Sequence, residues 1–180
     1  MRIEFVRLSP GDAEALVGFL TGEEWPFHAG VQEPEAIRRR LAEGRYDDEE
    51  TRTFWILAEG RRAGLVKLVD LTDDTPMFDL RVGKEWRGRG IGSAALAWLT
   101  SYLFTELPGI RRVEGQTRQD NRAMRAVFRN SGGYVKEAHY RQAWPAPDGT
   151  HHDAIAYAIL RDDWLSGTVT PPDWHDEPAA

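Results

Sequence analysis

Cysteine is absent from the chain, so the protein can form neither a disulfide nor a catalytic thiolate. It also lacks any apolar run close to the roughly 20 residues that a membrane span needs. Near the amino terminus, charges at Arg2, Glu4 and Arg7 interrupt the continuous apolar stretch that a signal peptide requires. These absences predict a cytoplasmic protein with no membrane partner.

The chain has fewer basic than acidic residues, since it contains 23 Lys and Arg residues and 29 Asp and Glu residues and has a formal net charge of -6. Affinity for nucleic acid depends on neutralising many phosphates, so we expect no nucleic-acid partner. The 180 residues suit one domain, and neither a repeat nor a low-complexity linker divides them. We expect one domain over residues 1–165 and a poorly ordered tail over residues 166–180.

Hydrophobic periodicity predicts both strands and helices. Three consecutive β-rich segments, TFWILA, AGLVKLVDL and MFDLRV, predict an antiparallel meander. Further strands are predicted at IEFVRL, RRVEGQT, YVKEAHYRQAW and DAIAYAIL. Helices are predicted after Pro10, after Pro34, from Ile91 and over NRAMRAVFRN. These elements predict an α+β fold with about seven strands and about four helices.

The segment RGRGIGS, residues 87–93, stands directly before an apolar helix and is typical of an anion-binding loop. A helix start offers unpaired backbone N–H groups and the positive end of the helix dipole. The three glycines let the backbone approach phosphate oxygens closely, and the two arginines add charge-assisted hydrogen bonds. The segment therefore predicts a site for a diphosphate.

Two common nucleotide-binding motifs do not fit this segment. A P-loop ends in Gly-Lys-Ser or Gly-Lys-Thr, whereas Gly83 and Lys84 are followed here by Glu85. A Rossmann fingerprint requires the pattern G-x-G-x-x-G at the opening of a parallel βαβ unit, which this segment does not provide. The diphosphate must therefore belong to another kind of ligand.

The order of strand, Arg-Gly-x-Gly-x-Gly, long helix, strand, Asn-bearing helix and Gly-Tyr resembles the GNAT superfamily of acetyl-coenzyme A-dependent N-acyltransferases, from about Thr53 to Leu160. The signature of that superfamily, Arg/Gln-x-x-Gly-x-Gly/Ala, is matched by Arg87, Gly90 and Gly92. The resemblance implies a mixed central sheet, flanked by helices, whose strands splay around acetyl-coenzyme A. It also implies that the strand MFDLRVG holds the pantetheine arm through its backbone. The implied cofactor-binding residues are Leu80, Val82, Arg87, Gly88, Arg89, Gly90, Ile91, Gly92, Ser93 and Asn121.

Two further segments extend the resemblance. The stretch TRQDNRAMRAVFRNSGGY is similar to the second cofactor segment of the superfamily, in which Asn121 would bond to the pantetheine or to a neighbouring strand. The stretch EAHYRQAWPAPDGTHHDAIAYAIL resembles the branch that contains ribosomal-protein N-terminal acetyltransferases. That branch acts on protein N-termini or on small amines, so the resemblance implies a primary amine as acceptor and leaves its identity open.

The resemblance implies direct transfer, in which the amine attacks the thioester and strand amides stabilise the oxyanion. The departing thiolate then needs a proton, but the positions of the usual donors hold Phe128 and Met124. Tyr134, Tyr140 or a water must replace them, and we favour Tyr140. The same two substitutions leave open a second hypothesis, a module that binds an acyl-coenzyme A without catalysis.

Asp79 is the candidate general base, since its strand runs beside the thioester, although it could equally pair with a nearby arginine. His28 is the other candidate, and Trp25, Phe27 and His28 are predicted to line the acceptor pocket between the first two helices. The stretch THHD contains adjacent histidines that point apart on a strand, so no metal site is assigned. A monomer or a homodimer is expected.

Overall fold

The computed structural model describes residues 1–28, 33–146 and 148–175 of the chain. Its centre is a seven-stranded mixed sheet in the order β1-β2-β3-β4-β5-β7-β6. The strands are β1 (Ile3–Arg7), β2 (Arg52–Ala58), β3 (Arg61–Val69), β4 (Met77–Val82), β5 (Arg112–Arg118), β6 (Val135–Pro145) and β7 (His151–Leu160).

Strands β1 to β4 form the predicted antiparallel meander. Ala58 pairs with Arg61 across a two-residue turn in which Glu59 and Gly60 have φ values of 49° and 74°. Positive φ at both central residues is the geometry of a tight hairpin turn that matches the twist of the strands. Local turn chemistry therefore sets the register of β2 against β3.

Helices cover both faces of the sheet. On one face, α1 and α2 pack over Trp55 and Leu65. On the other face, α3 and α4 pack over a larger core that includes Val66, Leu99 and Phe128. The helices are α1 (Ala13–Thr21), α2 (Pro34–Ala42), α3 (Ile91–Glu106), α4 (Arg122–Asn130) and α5 (Arg161–Ser166).

The sheet opens between its two halves. Strands β4 and β5 run parallel and pair through a single position, Met77 with Glu114, with one further bond from the Glu114 amide to the Pro76 carbonyl. Beyond that position the two strands diverge, and we call the opening between them the splay. Its floor consists of aromatic rings, since a Cβ atom on Gly115 would lie 2.6 Å from ring atoms of both Phe78 and Phe128.

The α+β fold with seven strands, predicted from the sequence, is confirmed. The short helix α5 was not predicted, because its six residues carry too little periodicity to signal a helix. The segment expected to be a poorly ordered tail begins inside α5, and Asp163 accepts hydrogen bonds from Thr170 N at 2.9 Å and Thr170 Oγ1 at 2.7 Å. Residues 176–180 of that segment lie outside the described residues.

Candidate active site

Helix α3 begins without a side-chain cap. The first intrahelical bond runs from the Ala94 amide to the Gly90 carbonyl at 3.0 Å, so the amides of Ile91, Gly92 and Ser93 have no acceptor within the helix. No side chain caps the helix, and its first turn contains no acidic residue. Three free N–H groups at the positive end of a 16-residue helix form a site suited to an anion.

The glycines of the loop leave room beside these amides. Gly88 and Gly90 have φ values of 74° and 81°, and a Cβ atom at either position would meet nothing within 4 Å. Gly92 has a different role, since a Cβ atom there would lie 3.3 Å from Val127 Cγ2 and tighten the packing of α3 on α4. The backbone therefore fits a diphosphate above Gly88 and Gly90.

The two arginines of the loop differ in their surroundings. Arg89 lies with its guanidinium 5.4 Å from the centre of the Trp86 ring, which leaves its N–H groups available to an anion. Arg87 instead donates from Nε to the Val82 carbonyl at 2.9 Å and from Nη2 to Glu23 Oε2 at 2.6 Å. Two of the Arg87 nitrogens are therefore bonded within the protein, so Arg89 has more N–H groups available for contact with a phosphate.

Glu23 ties the segment after α1 to this loop. Besides the contact with Arg87, its two carboxylate oxygens accept from the Lys84 amide at 3.0 and 3.2 Å. Trp25 follows two residues later and lies against the guanidinium groups of both Arg81 and Arg87, at 5.4 and 5.5 Å. Nothing in the local sequence indicates this role, because Glu23 and Arg87 are 64 residues apart.

Glu23→Gln is expected to raise the KM for the acceptor about tenfold and to change the KM for acetyl-coenzyme A less. Hydrogen bonds to charged groups are worth about 1.5–3 kcal/mol, and their loss would release the segment that carries Trp25 and His28. Steady-state kinetics with each substrate varied in turn would measure the two constants. Glu24→Gln at the exposed neighbouring position is the matched control, and equal changes in both variants would contradict the role of Glu23.

The backbone of β4 points into the splay at Leu80 and Val82. Successive peptide groups of a strand alternate in direction, and the Gly83 amide bonds to Ala63 on β3 while the Val82 carbonyl accepts from Arg87 on the other side. Since β5 pairs only at Met77, the Leu80 peptide group has no β5 partner. This geometry suits an extended amide-containing ligand that lies along β4.

Asn121 stands at the start of α4 and uses both ends of its amide. Its Oδ1 accepts from the Met124 amide at 3.2 Å, which caps the helix, and its Nδ2 donates to Thr117 Oγ1 on β5 at 3.0 Å. These bonds fix α4 beside the splay. Contact between Asn121 and the pantetheine arm stays a prediction.

On the α1–α2 face of the sheet, the Asp79 carboxylate lies in one cluster with Arg81 and His28. Its carboxylate, 39% exposed, accepts from Arg81 Nε at 3.1 Å and from Nη2 at 2.8 Å. His28 Nε2 lies 3.3 Å from Asp79 Oδ1 but is not aligned for a hydrogen bond. Asp79 and Arg81 are two residues apart on β4 and project on the same face, so their proximity follows from the strand period.

His28 is neutral in this cluster. Burial is the main cause that lowers its pKa to about 4, and the charges of Arg81 and Arg87 lower it further, while Asp79 opposes the shift. Only 20% of the side chain is exposed, and neither ring nitrogen has a hydrogen-bond partner within the described residues. The cost of burying a charged ring is larger than the attraction of Asp79, so the pKa of His28 falls.

The low pKa of His28, about 4, predicts a pH-dependent stability. Below about pH 6.5 the unfolded chain protonates this histidine while the folded protein does not, so the free energy of unfolding falls as the pH drops from 6.5 towards 4. At pH 5 the loss should be about 2 kcal/mol, and His28→Gln should lose less between pH 7 and pH 5. Urea unfolding of both proteins at the two pH values would measure it, and parallel losses would contradict it.

Phe27 lies on the other side of the splay from His28. Its ring packs under the Arg118 guanidinium of β5 at 4.7 Å, while His28 lies beside Asp79 of β4. The segment after α1 therefore crosses the splay from one strand to the other. The structure brings Trp25, Phe27, His28 and Asp79 together at this opening, on the face away from α3 and α4.

The candidate proton donors are placed very differently. Tyr134 is buried, its hydroxyl lies 2.8 Å from Thr100 Oγ1, and burial raises the pKa of the phenol above its ordinary value. Tyr140 on β6 is 45% exposed. It pairs with Ala154, which pairs in turn with Arg118 of β5, so Tyr140 projects on the same face as Arg118. Tyr134 is therefore part of the core, whereas Tyr140 is exposed.

An uncapped helix start beside a splayed strand pair suits a coenzyme that has a diphosphate and an extended arm. A family model described as an acetyltransferase (GNAT) domain matches residues 2–133. The chain therefore belongs to the GNAT acetyltransferase family, whose members bind acetyl-coenzyme A and an amine acceptor, and it is an acyltransferase by class.

One curated relative and two solved structures are similar to this chain, and the two structures share its fold. The Bacillus subtilis protein "Putative ribosomal N-acetyltransferase YdaF" is 27% identical over 168 residues, which cover 87% of this chain and 90% of the relative. The ribosomal alpha-N-protein acetyltransferase RimL, solved in complex with coenzyme A, has a TM-score of 0.78 at 20% identity and covers 88% of this chain and 93% of its own. A Vibrio cholerae spermidine N-acetyltransferase SpeG, chimeric with hSSAT, has a TM-score of 0.79 at 17% identity, with coverage of 92% and 99%.

Among the described residues, no group of three or more histidine, aspartate or glutamate side chains is arranged to hold a metal ion. No helix in the same residues is long and apolar enough to cross a membrane.

Proposed function

We propose that the protein transfers the acetyl group of acetyl-coenzyme A to a primary amine, either a protein N-terminus or a small-molecule amine, by direct attack within a ternary complex. The observation that carries the proposal is the uncapped start of α3, with the free amides of Ile91, Gly92 and Ser93 beside the open edge of β4. We assign this activity to a domain that spans residues 1–165, which includes the matched residues 2–133.

The diphosphate of acetyl-coenzyme A fits the three free amides and Arg89. The pantetheine arm, which contains amide groups, fits beside the peptide groups of Leu80 and Val82 that face the splay. The thioester then lies between β4 and β5, where the Leu80 peptide group is available to the acyl oxygen. The acceptor approaches from the face that carries Trp25, Phe27 and His28.

The chemistry assigned to the side chains is proton transfer. Asp79 accepts a proton from the acceptor ammonium, directly or through water, which frees the lone pair of the nitrogen. The amine attacks the thioester carbon, a C–N bond forms, the C–S bond breaks, and the leaving thiolate takes the proton of Tyr140. The new amide nitrogen then releases its extra proton, directly or through water, to the Tyr140 oxygen, which restores the phenol. Arg81 fixes the direction of the Asp79 carboxylate through the two bonds described above.

A second candidate is a module that binds acyl-coenzyme A without transferring the acyl group. It is favoured by Phe128 and Met124 at the positions of the usual proton donors. The ring of Phe128 is 1% exposed and stacks on Tyr157 at 4.5 Å, so it is part of the core and supplies no proton.

The test is thiol release from acetyl-coenzyme A with a panel of amines that includes amino-terminal peptides and spermidine, the two acceptor classes in the names of the relatives. Release that depends on an amine, together with an acetylated product by mass spectrometry, supports the transferase. Tight binding of coenzyme A without release for any amine supports the binding module instead.

A further inference from the structure

The acceptor face contains a lysine that no carboxylate neutralises. Lys67 on β3 stands directly opposite Asp79 on β4, and residues directly opposite in an antiparallel pair project on the same face. Within the described residues no carboxylate lies at ion-pair distance from its ammonium group, which instead lies 5.3 Å from the centre of the Tyr46 ring. Lys67 is half-buried, and burial lowers its pKa.

Asp79 compensates Lys67 only in part, because its attraction raises the pKa of Lys67 while burial lowers it, and its carboxylate is already bonded to Arg81. It accepts two bonds from Arg81, which is only 8% exposed, and His28 stands against its other oxygen. Arg40 and Asp48 also act on Lys67. Among these groups the cations are Lys67, Arg40 and Arg81 and the carboxylates are Asp79 and Asp48, so together they carry an excess of one positive charge.

This excess of positive charge disfavours a polyamine such as spermidine as acceptor and favours an acceptor that carries a carboxylate. A polycationic amine would bring further positive charge to a half-buried ammonium in a medium that screens charge poorly. A carboxylate would instead pair with Lys67 and offset the free energy lost in burying an unpaired charge. Neighbouring strands are about 4.8 Å apart, so a ligand whose amine lies beside Asp79 would reach Lys67 with a group about 5 Å away.

We infer that the acceptor is a primary amine that carries a carboxylate about 5 Å from the amino group, and that Lys67 binds this carboxylate. The inference rests on the proposed acetyl transfer and names the substrate class of the same site. An amino-terminal Asp or Glu residue of a protein and a free acidic amino acid both have this chemistry.

The experiment compares acceptors that differ only in the carboxylate: a peptide that begins with Asp, the same peptide with Asn first, free aspartate, and spermidine. We expect the kcat/KM for the Asp peptide to exceed that for the Asn peptide about tenfold or more, since a hydrogen bond to a charged group is worth that factor. Spermidine should be the poorest acceptor. The two aspartate-containing arms distinguish a protein terminus from a free amino acid.

Lys67→Met should remove the preference for Asp over Asn, and Lys67→Glu should reverse it and improve spermidine. Lys136→Met is the matched control, since Lys136 is opposite Tyr157 and lies on the face of α3 and α4. An unchanged coenzyme A affinity in each variant would show that the fold and the cofactor site are intact.

Calorimetric titration of both peptides into the complex with coenzyme A tests the same inference without turnover. Tighter binding of the Asp peptide that is lost in Lys67→Met supports the inference even if no amine is acetylated, in which case the proposed function alone fails. Equal binding and equal rates for the two peptides, a preference for spermidine, or a preference that survives in Lys67→Met would overturn it.

Discussion

Gly90→Asp is expected to weaken coenzyme A binding by about 100-fold, which corresponds to about 2.7 kcal/mol. Two effects act together at this position. The backbone of Gly90 has a φ of 81°, a conformation that L side chains rarely adopt. The new carboxylate would also stand at the start of α3, where it could accept from the amides of Ile91, Gly92 and Ser93 and repel the diphosphate. Calorimetry with coenzyme A would measure the change.

Gly90→Asn is the control that separates these two effects. Asn tolerates the left-handed conformation better than other residues with a side chain and has the shape of Asp without its charge. No atom lies within 4 Å of a Cβ at this position, so neither side chain clashes with the protein. We expect a much smaller loss of affinity for Asn than for Asp. A folded Gly90→Asp variant that binds coenzyme A normally would remove the anion site from the proposal.

Tyr140→Phe is expected to lower kcat by about 10²- to 10⁴-fold, the usual contribution of a general acid. The KM for acetyl-coenzyme A should hardly change, because the loop before α3 and the edge of β4 hold that substrate. Tyr140 is the candidate because Tyr134 is bonded to Thr100 and Tyr157 accepts from Arg125 Nε at 3.3 Å. Steady-state kinetics of the purified variant would measure both constants.

Tyr134→Phe is the matched control for this change. It removes the contact with Thr100 inside the core, so it should cost about 1 kcal/mol of stability and leave kcat nearly unchanged. If Tyr140→Phe keeps full kcat, then the thiolate takes its proton from water, and Tyr140 has no part in the chemistry.

The seven strands, the four longer helices and the uncapped start of α3 followed from the sequence because their causes are local. Strand alternation placed Asp79 and Arg81 on one face two residues apart, and the structure shows the ion pair that this spacing allows. The run of glycines before an apolar helix led to the free amides at the start of α3, since a helix start lacks acceptors for its first N–H groups whatever the tertiary fold. The cap that Asn121 forms on α4 is equally local.

The partners of the site residues depended on the tertiary structure because they lie far apart in the chain. Arg87 was expected at the phosphate, yet Glu23 and the Val82 carbonyl occupy its guanidinium, and only the packing of α1 against the meander brings Glu23 there. The low pKa of His28 comes from burial that no sequence pattern signals.

Lys67 shows the same division most clearly. Its sequence neighbours on β3 predict only that it lies in a strand. The register of β3 against β4, which the local sequence does not show, places it opposite Asp79. The sequence alone determined the seven strands, the four longer helices and the helix start whose amides lack acceptors, because backbone geometry and side-chain periodicity act over a few residues. Tertiary structure alone decided which charges are neutralised and which stay free for an acceptor, because pairing and desolvation depend on contacts between distant segments.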